Sequence, residues 1–243
     1  MPVFLLSRKK VSFPFPNLAH EDGILAIGGD LSQRRLVLAY KMGIFPWFSE
    51  GEPIVWWSPD PRLVLFPDEI RVSKSLKKII KKKVFQITFD KAFYDVINAC
   101  ADVRTSCNKG TWLGSDMIDA YCRLYESGYA HSVEAWHKGK LAGGLYGVSM
   151  GRCFFGESMF TYISNASKVA FVFLAAYLKS LSFNIIDCQV TTNHLKSFGA
   201  REISRDSFSH ILNESFNLPD VKDKSIFNNG LEILAKTPLL NFL

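Results

Sequence analysis

Residues 154–190 have the sequence FFGESMFTYISNASKVAFVFLAAYLKSLSFNIIDCQV. The pattern of this stretch indicates a strand, a helix and a second strand. The apolar segments at 154–160 and 186–190 are typical of buried strands. Between them, residues 165–182 have helical periodicity with apolar residues on most faces, so we predict a long and largely buried helix. The two strands could then be neighbours in one sheet.

Each of these two strands carries an acid, Glu157 in the first and Asp187 in the second. A carboxylate in apolar surroundings costs free energy unless it is hydrogen-bonded or paired, and acids kept there are candidates for chemistry. On a regular strand Asp187 and Gln189 project to one side and Cys188 to the other. A purely structural hydrogen-bonded pair is the alternative explanation for Asp187 and Gln189.

Patterns on either side of this stretch extend the sheet. We predict strands at 84–89, 130–136 and 140–148 and helices at 93–101, 115–127 and 208–216. Three strands followed by a helix and a further strand predict an α+β fold with a mixed, mostly antiparallel sheet.

This order resembles the acyltransferase fold of the GCN5-related N-acetyltransferases. Those enzymes hold coenzyme A with a Q/R-x-x-G-x-G/A loop between strand and helix. The matching segment here, TYISNASK at 161–168, contains no glycine. We therefore do not predict a cradle of backbone amides for a pyrophosphate.

The first part of the chain has a different composition. Residues 1–65 are rich in proline, glycine and tryptophan, which indicates turns and short elements. One helix is predicted at 34–41, with Ser32 as its N-cap and Gly43 after its end. We interpret residues 1–65 as a small N-terminal α/β module and residues 66–243 as the larger acetyltransferase-like domain, with an irregular tail at the C-terminus.

A strongly basic helix is predicted at 73–83. The segment RVSKSLKKIIKKK, residues 71–83, holds seven cations and no acid, with apolar residues on one helical face and lysines on the other. Like charges at this spacing repel one another, and a phosphate backbone relieves the repulsion. We favour a nucleic acid over an acidic membrane surface or a merely solvated face. The predicted contact residues are Arg71, Lys74, Lys77, Lys78, Lys81 and Lys82.

Composition excludes several classes of protein. The chain has 243 residues, a net charge of +6, five cysteines without a CxxC pair and five histidines without HExxH. A disulfide framework and a metal site are therefore not expected. We also find neither a secretory signal nor an apolar run of the ~20 residues needed to span a bilayer, and we expect a cytoplasmic protein.

Together these residues resemble the leucyl/phenylalanyl-tRNA–protein transferase family over about residues 13–208. The segments that carry the resemblance are LAIGGDL (25–31), GIFPWF (43–48), WWSPDPR (56–62), GTW (110–112), HSVE (131–134), GGLYG (143–147), FGESMF (155–160), NASK (165–168) and DCQV (187–190).

The resemblance implies transfer of Leu or Phe, and less efficiently Met, from aminoacyl-tRNA to the N-terminal Arg or Lys of an acceptor protein. That modification marks the acceptor for degradation by the N-end rule pathway. The implied partners are Leu-tRNA, Phe-tRNA and such proteins, with no membrane partner and a monomeric enzyme. No cofactor is implied, because the aminoacyl ester is already activated without ATP or coenzyme A.

The resemblance also implies roles for individual residues. Asp187 and Gln189 match residues that activate the acceptor amine, and Glu157 matches one that orients the aminoacyl end. A neutral amide is a poor base, so Gln189 is better suited to positioning the amine and Asp187 to supplying negative charge. The residues that match the aminoacyl pocket are Trp47, Trp112, Tyr121, Phe154, Met159 and Ile186. Leu145 stands where the family often has Met.

Two other functions compete with this interpretation. One is an acyl-CoA-dependent N-acyltransferase of small molecules, against which the glycine-free loop counts. The other is a non-catalytic RNA-binding adaptor, which accounts for the lysines but not for paired acids in apolar strands.

Overall fold

A small four-stranded sheet forms the beginning of the chain in the computed structural model, which describes residues 3–106, 113–218 and 227. Its strands are β1 (Phe4–Leu6), β2 (Ile24–Gly28), β3 (Phe45–Pro46) and β4 (Val55–Trp57), in the order β1-β2-β4-β3. Helix α1 (Gln33–Lys41) connects β2 to β3. The side chain of Ser32 accepts a hydrogen bond from the N–H of Arg35, which confirms the predicted N-cap.

The second sheet has seven strands in the order β11-β5-β10-β9-β8-β7-β6. They are β5 (Arg62–Leu65), β6 (Gln86–Phe89), β7 (Ala130–His137), β8 (Lys140–Met150), β9 (Cys153–Thr161), β10 (Ile185–Gln189) and β11 (Arg201–Ile203). Among the described strands of this sheet, only β9 and β10 pair in parallel. The predicted α+β fold with a mixed, mostly antiparallel sheet is confirmed. Because β5 lies in this sheet, the larger sheet starts before residue 65; the division into two domains stays a prediction.

Helices cover both faces of the seven-stranded sheet. They are α2 (Lys74–Lys81), α3 (Phe93–Ser106), α4 (Ser115–Glu126), α5 (Ala166–Ser180), α6 (Asn193–Lys196) and α7 (Arg205–Phe216). One buried core lies under α3, α4 and α1, and a second lies under α5, which is apolar nearly all round as predicted. Helix α7 begins before residue 208 because Ser204 caps it. In the described ranges no helix is long and apolar enough to cross a bilayer.

Most of the predicted irregular tail lies outside the described residues. Phe227 is a described residue of this tail, and its ring is fully buried in the core under α5. It stacks on the imidazole of His131 with ring centroids 3.7 Å apart. Phe227 thus contributes to the core of the larger sheet.

Strands β9 and β10 separate part-way along their length, and this separation makes room for a site. They pair only over Cys153–Phe155 and Ile185–Asp187. Strand β9 then continues to Thr161 beside β8, whereas β10 ends in a bulge at Gln189, whose φ is 61°. A second irregularity, between Gly156 and Ser158 of β9, leaves Glu157 without an opposite residue on β8.

Candidate active site

A mainly apolar cavity of about 400 Å³ lies where β9 and β10 separate. Of the residues that the sequence predicts for a site, Trp47, Phe154, Glu157, Met159, Ile186, Asp187 and Gln189 line it. Leu145, which stands where the family often has Met, also lines it, together with residues that were not predicted as part of the pocket: Phe45, Phe171, Leu174, His194 and Leu195. Trp112 lies outside the described residues. The size and apolar character suit a small hydrophobic ligand with a polar end.

Glu157 carries the polar end of this cavity. One carboxylate oxygen accepts a hydrogen bond from the hydroxyl of Tyr40 at 2.8 Å, and the other accepts from Tyr121 at 2.6 Å. The side-chain amide of Gln189 also donates to Glu157, at 3.2 Å. Tyr121, predicted as a pocket residue, therefore contacts the polar end of the site by holding the carboxylate.

The surroundings of Glu157 change its acidity. Burial raises the pKa of Glu157 from 4.5 to about 7, while the hydrogen bonds from Tyr121 and Tyr40 act in the opposite direction. Burial beside this carboxylate also raises the pKa of both tyrosines well above 10, so both remain donors at neutral pH. Glu157 can thus exchange a proton near neutral pH, which is the property needed of a general base.

Asp187 has a different environment, which the sequence did not reveal. The side chain is fully buried, and its two oxygens accept hydrogen bonds from Nε and Nη2 of Arg62 at 2.8 and 2.7 Å. This is a bidentate ion pair between β10 and β5. One signal for it was present in the sequence: Arg62 opens an apolar strand, and a buried cation requires an anionic partner.

Gln189 links the two acids. Its backbone N–H donates to Oδ1 of Asp187 at 2.9 Å, and this bond closes the bulge at the end of β10. Its side-chain amide points into the cavity and reaches Glu157. The regular alternation expected for Asp187, Cys188 and Gln189 therefore ends at Gln189, and the positive φ of that residue sets the direction of its side chain.

Comparison with known proteins shows the family to which the chain with this site belongs. A family model described as leucyl/phenylalanyl-tRNA protein transferase matches residues 64–213, and a model of that family's N-terminal domain matches residues 29–60. The chain belongs to this family.

Named relatives agree with the family models. A leucyl/phenylalanyl-tRNA–protein transferase of Syntrophobacter fumaroxidans is 58% identical over 91% of this chain and 93% of its own length. One of Desulforapulum autotrophicum is 55% identical over 93% of this chain and 99% of its own length. A solved structure, L-PGS from Bacillus licheniformis, aligns at 11% identity over 90% of this chain and 74% of that one, with a TM-score of 0.40, too distant to bear on function.

As a member of the leucyl/phenylalanyl-tRNA–protein transferase family, the chain is an aminoacyltransferase. Family membership does not favour the acyl-CoA-dependent alternative. The resemblance inferred from the sequence is thereby confirmed, while the roles of single residues remain proposals.

The basic helix of this transferase is formed as predicted. Helix α2 begins after Ser73, whose side chain accepts the N–H of Leu76, and Leu76 is buried in the core under α5. Lys77 is half-buried, and the exposed cations of the segment are Arg71, Lys74, Lys78, Lys81, Lys82 and Lys83. The N–H of Arg71 donates to the carbonyl of Phe198, on the segment that follows the cavity residue Leu195.

Proposed function

We propose that the protein transfers Leu or Phe from its aminoacyl-tRNA to the N-terminal Arg or Lys of an acceptor protein. The observation that carries the proposal is the apolar cavity at the separation of β9 and β10, with Glu157 and Gln189 at one place on its wall. An apolar pocket beside one proton acceptor suits an ester with a hydrophobic side chain and an amine that attacks it.

The apolar walls account for the choice of amino acid. Phe154, Met159, Phe171 and Ile186 surround the space proposed for the Leu or Phe side chain. Burying a polar side chain there would leave its polar atoms without partners. Such a pocket separates near-isosteres by only about 1–3 kcal/mol, so Met is a weaker substrate rather than an excluded one.

The reaction is aminolysis of an ester. The nitrogen of the acceptor α-amine attacks the ester carbonyl carbon, a C–N bond forms, and the C–O bond to the terminal ribose of the tRNA breaks. The proton that the amine loses passes to Glu157, and the protonated Glu157 then gives it to the departing ribose oxygen, so that the carboxylate is restored. No further reactant is required, because the ester bond already supplies the driving force.

The two acids have separate roles in this scheme. Glu157 contacts the substrate amines and accepts the proton, since it is the acid of the described cavity wall that has no ion pair. Gln189 holds the acceptor amine through its side-chain amide. Asp187 stays in its ion pair with Arg62 and acts on the reaction through Gln189.

Transfer of a labelled amino acid tests the proposal directly. The protein is mixed with labelled Phe-tRNA and a peptide that begins with Arg, and the label is expected on the peptide. A peptide that begins with acetylated Arg is the matched control and is expected to receive none, because its α-nitrogen is no longer nucleophilic. Coenzyme A binding, with no label on the Arg peptide, would favour the acyl-CoA alternative.

Tyr121→Phe is expected to move the pH dependence of transfer to higher pH. We expect kcat/KM of the wild type to rise as Glu157 ionises near pH 7. The Tyr121 hydroxyl donates to Glu157 and lowers its pKa, so its removal raises that pKa further. The measurement is the initial rate between pH 5.5 and 9. Tyr125→Phe is the control, because Tyr125 lies on the same helix but its hydroxyl donates to the backbone carbonyl of Asp90. This variant is expected to keep the wild-type pH profile. A Tyr121→Phe variant with the wild-type pH profile would contradict the role of Glu157.

The basic segment is proposed to contact the phosphates of the tRNA. Such contacts carry little sequence information, so one enzyme can accept several tRNAs that carry Leu or Phe. The proposed contacts are Arg71, Lys74, Lys77, Lys78, Lys81 and Lys82. Because the segment follows β5 and lies near the cavity residue Leu195, a bound acceptor arm could place its ester in the cavity.

Neutralising lysines of α2 is expected to weaken binding of aminoacyl-tRNA and to flatten its salt dependence. The Lys78→Gln, Lys81→Gln double variant should reduce the slope of log Kd against log salt concentration by up to about 2, since each phosphate contact contributes about 1. Lys9→Gln, Lys10→Gln removes two exposed lysines near the N-terminus, outside the basic segment, and serves as control. Equal slopes for the two double variants would remove α2 from the interface.

The remaining parts of the proposal concern the setting of the reaction. We propose that the enzyme is a cytoplasmic monomer and that its products enter the N-end rule pathway of degradation. The proposed substrate supports the location, because aminoacyl-tRNA is used in protein synthesis in the cytoplasm.

A further inference from the structure

A fully buried guanidinium lies directly behind the proposed acceptor site. Arg62 is 1% exposed and Asp187 is 0% exposed, and two parallel hydrogen bonds join them. Taking both charges out of water has a large free-energy cost, which two good hydrogen bonds offset only in part. A buried ion pair at this position therefore needs a reason other than stability.

The guanidinium is also held in place by aromatic rings from two other parts of the chain. The Cζ atom of Arg62 lies 4.8 Å from the ring centroid of Phe45, on β3 of the small sheet, and 4.6 Å from that of Phe208, on α7. Phe45 in turn lines the cavity. Arg62 thus packs where the small sheet, the large sheet and the last described helix meet.

From Arg62 a chain of hydrogen bonds leads to the cavity. Arg62 orients both oxygens of Asp187, and Oδ1 of Asp187 accepts the backbone N–H of Gln189. That bond holds the bulge in which Gln189 has a φ of 61°, a conformation that is unfavourable for a residue other than glycine. The Gln189 amide then reaches Glu157.

We propose that Arg62 is a positioning residue that, through Asp187 and the backbone of Gln189, aims the Gln189 amide at the acceptor amine. Asp187 is not the proton acceptor, because both of its oxygens accept hydrogen bonds from Arg62 and Oδ1 also accepts the N–H of Gln189. This inference rests on the proposed function and adds the residue that prepares the acceptor side of the site.

Arg62→Lys tests the inference, because lysine keeps the charge but cannot form the two parallel hydrogen bonds. We expect kcat for transfer from Phe-tRNA to the Arg peptide to fall about 10- to 100-fold, as a displacement of about 1 Å in a catalytic site can cause. The KM for Phe-tRNA should stay within about twofold of the wild type, as only the acceptor side is disturbed. The rise of activity near pH 7 should also stay in place, because lysine keeps the positive charge that acts on the pKa of Glu157.

Arg35→Lys is the matched control. Arg35 is another fully buried arginine, and it pairs with Asp30 in the small sheet module, away from the cavity. A loss of activity caused only by weaker packing would affect both variants alike. The inference is overturned if Arg62→Lys keeps the wild-type kcat, if both variants lose activity equally, or if the pH profile of Arg62→Lys shifts.

The double variant Arg62→Met, Asp187→Leu keeps the test valid if Arg62→Lys does not fold. It removes both charges, and such replacements of a buried pair are often neutral for stability. We expect it to fold and to remain at least tenfold slower than the wild type, because nothing then holds the N–H of Gln189. Recovery of the wild-type rate would show that Arg62 only neutralises Asp187. A wild-type protein that transfers no label at all would instead refute the proposed function, and this inference with it.

Discussion

Glu157→Gln is expected to lower kcat for transfer by about 100-fold or more, within the range that loss of a general base produces. The amide has nearly the shape of the carboxylate and can still contact Tyr40 and Tyr121, but it cannot take a proton from the acceptor amine. Burial raises the pKa of Glu157 to about 7, which places its proton exchange in the working range of the enzyme. The measurement is single-turnover transfer with saturating Phe-tRNA and Arg peptide.

Stability of the same variant supplies its control. The pKa of Glu157 is higher in the folded state than its ordinary value of 4.5, so the folded state favours the protonated form. Wild-type stability therefore carries a penalty that grows as pH rises from about 4.5 to about 7 and is complete above it. Gln has no such penalty, and the difference in Tm, variant minus wild type, should increase between pH 5 and pH 8. A slow variant with the opposite trend, or one with a third of the wild-type kcat, would argue against Glu157 as the base.

Asp187→Ala is expected to destabilise the protein strongly. It leaves the guanidinium of Arg62 buried without its counter-ion, which typically costs about 3–5 kcal/mol. For a chain of this length each kcal/mol corresponds to about 2–4 °C, so Tm should fall by roughly 6–20 °C. Thermal unfolding followed by circular dichroism measures this change.

A second aspartate provides the comparison for that result. Asp30 pairs with the buried Arg35, but its side chain is 29% exposed, and Arg35 also donates to the backbone carbonyls of Ser7 and Lys10. Asp30→Ala should therefore lower Tm by less than Asp187→Ala, because water and the two carbonyls still solvate the guanidinium. Equal falls in Tm for the two variants would mean that the ion pair of Asp187 contributes no more to stability than the partly exposed pair of Asp30.

Much of the fold was predictable because its elements have clear local patterns. Alternation, helical periodicity and capping residues identified β6 to β10 of the large sheet, the basic helix after Ser73 and the long helix before β10, but not the short strands β5 and β11. These features depend on residues a few positions apart, and their physics is local. The start of α7 was missed because Ser204 and the polar residues after it lack an apolar pattern.

The site was predictable only in part. Both acids, Gln189 and part of the apolar lining followed from the two strands and the family resemblance; the predicted apolar residues in the lining are Trp47, Phe154, Met159 and Ile186. The sequence did not reveal that Asp187 forms an ion pair with Arg62, which is 125 residues away. It also did not reveal that the hydroxyl of Tyr40, 117 residues from Glu157, donates to the carboxylate of Glu157. Contacts over such separations have no signature in local periodicity.

The amino-acid sequence alone therefore predicts most of the helices, five strands of the large sheet, the basic helix, the family and the two acids of the cavity wall. The different roles of those acids emerge only when the chain has folded. In the folded chain, Asp187 lies beside the buried guanidinium of Arg62 and forms an ion pair with it. Glu157 accepts hydrogen bonds from neutral side chains, and its pKa is about 7. The same chemical group has two behaviours because solvation and neighbouring charges, which set its protonation, are properties of tertiary structure.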